Sequence, residues 1–149
     1  MLIIFDLDDT LVKTSECITH ILLERSLRAM VNKGFKIQSF YQALFLLKEF
    51  NKQASNAEEA LKKFVISMRE DLKFIPIGKE QLTNFTLDMP ISPLESAVKT
   101  LHLLKEKKHT LCLVTVGKDS LQRQKLEKAG IDPILFSKII VSEDRNKKP

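Results

Sequence analysis

The chain has 149 residues, 44% of them hydrophobic, with two cysteines and a formal net charge of +5. It is long enough to bury the core of one domain, or of one domain with an insertion, and too poor in cysteine to be a disulfide-stapled scaffold. Lysines are interspersed with glutamates instead of gathered into a basic stripe, which speaks against nucleic acid as a partner, and Cys17 and Cys112, far apart in sequence, suggest no oxidising compartment.

The first element is Leu2-Ile3-Ile4-Phe5. Its lack of polar alternation predicts a parallel strand covered on both faces, in the interior of a sheet. The run is too short for a signal sequence or a membrane span, and acids follow it where a cleavage site would stand; a cytoplasmic protein with no membrane partner is the default. From about Thr14 to Met89 helical patterns succeed one another with no convincing strand. One helix is predicted from Ser15 to Lys33, stopped by Gly34. A second starts at Ser39, with Gln42 completing a capping box, and a third at Asn56, with Glu59 in the matching place. In the third, Ala57, Ala60, Leu61, Phe64, Val65 and Met68 make one apolar stripe. The aromatic residues Phe40, Tyr41, Phe45, Phe50 and Phe64 read as helix-packing core, not as a stacking platform for substrate.

The turn-rich stretch DMPISP ends this region. Ser92 as N-cap, Pro93 in the first helical position and Glu95 at the third predict a helix start, and Leu94, Ala97, Val98, Leu101 and Leu104 then recur at helical spacing. The runs Leu111–Val116 and Lys138–Ser142 predict two more buried strands. Between them Asp119–Ala129 reads as a helix closed by Gly130. The fold class that follows is α/β: a parallel-sheet core from residues 1–13 and 90–149, with a helical domain, 14–89, inserted after the first strand.

Asp6, Asp8 and Asp9 crowd together where the first strand should end. Carboxylates that close oppose one another's ionisation, so such a cluster calls for a cation, and a hard divalent ion such as magnesium is the natural one beside phosphate. In open parallel sheets ligands sit just beyond the carboxyl ends of the strands, which is where Asp6 falls. The alternative is a plain polar turn in which Asp8 or Asp9 caps a helix. The second strand ends similarly, in Thr115, Val116, Gly117 and Lys118, where a hydroxyl and backbone N–H groups before a helix could hold an anion. The third is followed by Lys147 and Lys148, point charges suited to phosphate or simply exposed surface.

With these residues in place the sequence resembles the haloacid dehalogenase-like (HAD) hydrolase superfamily. DLDDTL (residues 6–11) matches the family's first motif, Thr115 the second, and Lys148, directly before Pro149, matches the third better than Lys147 does. The resemblance covers residues 1–12 and 90–149, and the helical stretch looks like the cap of the phosphoglycolate phosphatase-like branch. It implies a Rossmann-like three-layer core and a Mg²⁺-dependent phosphomonoester hydrolase acting on a small phosphorylated metabolite. Asp6 would then be the nucleophile, forming an aspartyl-phosphate, and Asp8 the general acid and base. Mg²⁺ would sit on Asp6 and the backbone carbonyl of Asp8. Thr115, the N–H groups of Val116 and Gly117, and Lys148 would hold the phosphoryl oxygens. Asp9 has no part in this scheme beyond a cap. Dehalogenating members usually lack the second aspartate, so Asp8 favours phosphoryl chemistry.

The family's fourth motif, an acidic pair after a further strand, is expected beyond the lysine, whereas the sequence stops at Pro149. The sequence therefore reads as an incomplete core. Two other functions stay open on the same residues: a catalytically silent phosphate-binding or interaction module, and a phosphomutase. His20, His102 and His109 show no metal-ligand spacing. Hinges, if the cap closes, are expected at Val12–Thr14 and Met89–Pro93.

Overall fold

A computed structural model of the chain describes residues 1–143, which divide into two compact units: residues 1–18 with the segment from Leu87 onward, and residues 19–86. The sequence places those boundaries at 13/14 and 89/90.

In the first unit, β1 (Leu2–Phe5), β2 (Thr110–Val116) and β3 (Lys138–Ser142) form a parallel sheet in the order β1-β2-β3. Phe5 lies level with Leu113, and Thr115 with Val141. Because side chains alternate along a strand, Leu111, Leu113 and Thr115 share one face, and all three are at most 1% exposed. A helix, Ala97–Glu106, packs on β2, and another, Asp119–Lys128, packs on β3. Beneath them Leu101 and Leu126 are fully buried.

Among the described residues β1 pairs on one side only, with β2, and Leu2 and Ile4, on the face opposite Leu111, are 57% and 60% exposed. One sequence expectation needs correction here. The helix predicted from Ser92 begins only at Ala97, with Ser96 before it in the left-handed conformation, φ 64°. The reason is competition for backbone. The Lys13 N–H donates to the Ser92 carbonyl at 3.0 Å and the Leu94 N–H donates to the Leu11 carbonyl at 2.8 Å, so the residues meant for the first helical turn are held in a bridge instead.

A π-helical turn, Ser15–Thr19, precedes the second unit. That unit contains α1 (His20–Asn32), α2 (Phe40–Gln53), α3 (Ala57–Ser67) and α4 (Phe74–Thr83); the two helices of the first unit are α5 (Ala97–Glu106) and α6 (Asp119–Lys128). The predicted N-caps of α2 and α3 are observed: Ser39 accepts the Gln42 N–H at 3.4 Å and Asn56 accepts the Glu59 N–H at 2.9 Å. The Glu59 carboxylate reaches one residue further back than a capping box requires, to the N–H and hydroxyl of Ser55. α4 is not foreseen in the sequence because Pro76 and Gly78 interrupt it. Pro76 stands in its first turn, where the N–H has no helical partner anyway, and a Cβ on Gly78 would stand 2.7 Å from a Leu61 methyl group.

Leu23, Leu27, Met30, Leu44, Leu47, Leu61, Phe64 and Phe74 form the core of this unit, with Phe35 stacked on Phe64 at 5.6 Å and meeting Phe74 edge-on at 5.2 Å. The Ser26 hydroxyl, fully buried, donates to the Gly78 carbonyl at 2.9 Å and ties α1 to α4. Phe40 and Phe50 pack against this core, but Tyr41 and Phe45 do not; they are 84% and 67% exposed, because the inward face of α2 is taken by Ala43, Leu44 and Leu47. Phe64→Ala removes the ring at the centre of the cluster and should lower the unfolding free energy by about 3–5 kcal/mol, read from urea denaturation. A loss below about 1 kcal/mol would mean that the cluster does not hold the helices together.

Candidate active site

The three aspartates that follow β1 go to different tasks. Asp6 stands immediately beyond the strand, half-buried. Leu7 is completely buried, and its carbonyl accepts the N–H groups of Thr10, Leu11 and Val12, so the chain folds tightly back over an apolar anchor. Asp9 adopts φ 55°, and its carboxylate accepts the N–H of Ser15 at 2.8 Å and the Ser15 hydroxyl at 2.6 Å. It is a cap for the helical turn that follows.

Asp8 points into a bonded frame built largely by α6. Its Oδ1 accepts the Thr14 hydroxyl at 2.5 Å and the Lys125 ammonium at 2.6 Å, while Oδ2 accepts from the Gln122 amide at 2.9 Å. The same Gln122 nitrogen lies 2.8 Å from Thr115 Oγ1 and 3.0 Å from the Val116 carbonyl. A carboxylate and a carbonyl only accept, so these neighbours identify that side of the amide as nitrogen. Asp8 and Thr115, distant in sequence, are thereby linked through one side chain. The structure brings together these two of the predicted site residues.

Gln122 and Lys125 are absent from the sequence-based set of site residues, yet they are 2% and 8% exposed. The signal was available. Gln122, Lys125, Leu126 and Ala129 recur at i, i+3, i+4 and i+7, so the two polar residues lie on the buried stripe of an otherwise polar helix. A buried lysine on such a stripe needs an anionic partner, and Asp8 is that partner.

One predicted ligand is corrected. The Gly117 N–H donates to the Ser142 carbonyl at 2.8 Å, closing the β2–β3 pairing at Val116 and Ser142, so it is engaged within the sheet and not presented to an anion. The glycine is nevertheless required. Its φ is 146°, and an added Cβ would meet the Gln122 side chain at 3.2–3.4 Å. Lys147 and Lys148 lie outside the described residues.

Magnesium takes hard oxygen donors. Asp6 supplies a carboxylate of that kind, whereas the Asp8 carboxylate is committed to Thr14, Gln122 and Lys125, leaving its backbone carbonyl for the part the resemblance implies. No group of three His, Cys, Asp or Glu side chains able to hold a metal occurs among the described residues. The donors present therefore fit magnesium in kind, as a partial set.

Burial works to raise the Asp8 carboxyl, but the charge and hydrogen bond of Lys125, with the bonds from Thr14 and Gln122, outweigh it and hold Asp8 below its usual range. Folded Asp8 thus takes up a proton less readily than unfolded Asp8. The stability it contributes is complete above the unfolded value of about 3.9 and is lost as pH falls through the lower folded value. Lys125→Met should flatten that loss: between pH 5 and pH 2, without divalent metal, the variant's thermal midpoint should fall by several degrees less than the parent's.

The sequence model of the haloacid dehalogenase-like hydrolases matches residues 1–149. No curated protein matches the chain. Among solved structures, a predicted phosphoglycolate phosphatase from Haemophilus somnus is 21% identical with a TM-score of 0.64, over 95% of this chain and 62% of that one. A candidate beta-phosphoglucomutase from Thermotoga maritima is 13% identical with a TM-score of 0.57, over 95% of this chain and 61% of its own. The HAD-hydrolase YfnB from Bacillus subtilis, solved with magnesium bound, is 18% identical with a TM-score of 0.52, over 97% and 64%. The chain thus spans a little over three-fifths of the length of these neighbours, and the likeness is one of fold: an α/β, Rossmann-like core with helical elements. By the match along its whole length, the chain belongs to the haloacid dehalogenase-like hydrolase family.

Proposed function

We propose that the chain carries the reacting strand ends of a magnesium-dependent phosphomonoester hydrolase that acts on a small phosphorylated metabolite. The observation that supports this reading most directly is the link from Asp8 through Gln122 to Thr115, which sets a carboxylate from the first motif beside a buried hydroxyl from the second. Asp6, at the end of β1, attacks phosphorus; the bond to the leaving oxygen breaks, and that oxygen takes a proton from Asp8. Water then gives a proton to Asp8 and attacks the same phosphorus, the Asp6–phosphorus bond breaks, and alcohol and phosphate are the products. The ion pair with Lys125 engages Oδ1, so the proton that Asp8 gives up in the first half is carried on Oδ2, the oxygen Lys125 does not touch. Thr115 donates to a phosphoryl oxygen as charge builds there. Lys148 is assigned a second contact to the phosphoryl group by its match to the third motif. Magnesium, when bound at Asp6 and the Asp8 carbonyl, draws charge from the phosphoryl oxygens.

A second reading is a module that binds phosphate without turning it over. It is favoured by the Gly117 N–H, which is bonded to Ser142 instead of facing a ligand. A phosphomutase would use the same aspartates and return the phosphoryl group to substrate.

Hydrolysis of an aryl phosphate separates these readings. With Mg²⁺ the parent should turn over, Asp6→Asn should fall to background, and Thr115→Ala should lose about 100-fold or more in kcat. Equal rates for parent and Asp6→Asn would sink the hydrolase reading, and phosphate binding by both would then favour the silent module. No loss of activity on removing Mg²⁺ would sink the metal assignment alone.

A further inference from the structure

α6 presents two buried polar side chains, Gln122 and Lys125, that belong to none of the family motifs and that the proposed chemistry gives no reacting part. Stability does not by itself call for polar residues at these positions. A desolvated ion pair contributes little net, and apolar residues of similar volume at such positions often leave a fold as stable or more so. Leu126 and Ala129, on the same stripe, show that this face of α6 already packs with apolar side chains.

Their geometry suggests another purpose. A carboxylate has roughly four acceptor sites. Thr14 and Lys125 occupy both on Asp8 Oδ1, and Gln122 occupies one on Oδ2, which leaves a single acceptor position, on Oδ2, among the described residues. Gln122 does the converse to Thr115. The amide has two hydrogens to share among Asp8 Oδ2, Thr115 Oγ1 and the Val116 carbonyl, and no lone pair to offer, so toward Oγ1 it can only donate and the hydroxyl hydrogen is directed away from that nitrogen. Gly117, whose Cβ would crowd Gln122, lets the chain turn close around that amide.

We propose that Gln122 and Lys125 are positioning residues: one turn of α6 fixes which oxygen of Asp8 exchanges protons and which way the Thr115 hydroxyl donates. This rests on the phosphatase reading of Asp8 and Thr115. Neither residue touches the phosphoryl group; each acts through the group it holds. Misalignment of such groups by about 1 Å costs on the order of 100-fold in rate, and because the Thr115 bond strengthens as charge builds on the phosphoryl group, the loss falls on kcat more than on KM.

The test uses the 149-residue chain with an aryl phosphate and Mg²⁺. Lys125→Met and Gln122→Leu should each lower kcat by about 10- to 100-fold with KM changed less than about threefold, and Lys125→Arg, which keeps the charge, should recover part of the loss. Circular dichroism identifies a variant that fails to fold, and the other variant then decides. A kcat within about twofold of the parent for a folded variant overturns the proposal, as does a loss confined to KM. The side-chain amide signals of Gln122, assigned by their disappearance in Gln122→Leu, give a reading independent of turnover. They should move and exchange faster with solvent in Asp8→Ala; signals unchanged there mean that the frame does not exist. If the parent is no faster than Asp6→Asn, the phosphatase reading fails by itself, and the amide signals alone then judge the frame.

Discussion

The ion pair between Lys125 and Asp8 is the constraint around which the first unit is arranged. It joins a helix that follows the second strand to the loop that follows the first. Lys125 has 10% of its side chain exposed and Asp8 31%, so the pair is partly desolvated and each charge depends on the other. Taking away one partner would strand the second, a loss of about 3–5 kcal/mol where burial is complete and less here. Everything near the pair accommodates it: Thr14 bonds the same oxygen, Gln122 takes the other, and Gly117 makes room.

This arrangement explains why three aspartates in four positions do not repel one another into disorder. They are electrostatically separated by their partners. Asp8 is neutralised by an ammonium, Asp9 is turned outward by a left-handed backbone and bonded to Ser15, and Asp6 remains at the strand end. The cation that the bare sequence calls for is in part a lysine of the same chain.

Much of the fold could be read in the sequence because its signals are local. Strand runs without alternation, N-caps at Ser39 and Asn56, and glycines at helix ends each depend on a few neighbours. What went unread depends on distant partners. The helix expected at Ser92 loses its first turn to backbone bonds with Leu11 and Lys13, some eighty residues earlier in sequence, and no propensity records that. α4 was hidden because a proline and a glycine normally break helices, while here one stands in the first turn and the other sits against Leu61. The site divides in the same way. Asp6, Asp8 and Thr115 are visible as motif residues at strand ends, but Gln122 and Lys125 look like surface until α6 is seen to turn them inward, and the Gly117 amide looks available until Ser142 is found bonded to it.

β1 ends directly before Asp6. Its outer flank is unpaired among the described residues, and two of its four side chains are largely open to solvent. Asp6 is the very next residue, so the backbone that carries its carboxylate is continuous with a strand paired, among the described residues, on one side. Any backbone that zipped along the outer flank would damp the strand's motion and carry that stiffening to the carboxylate beside it.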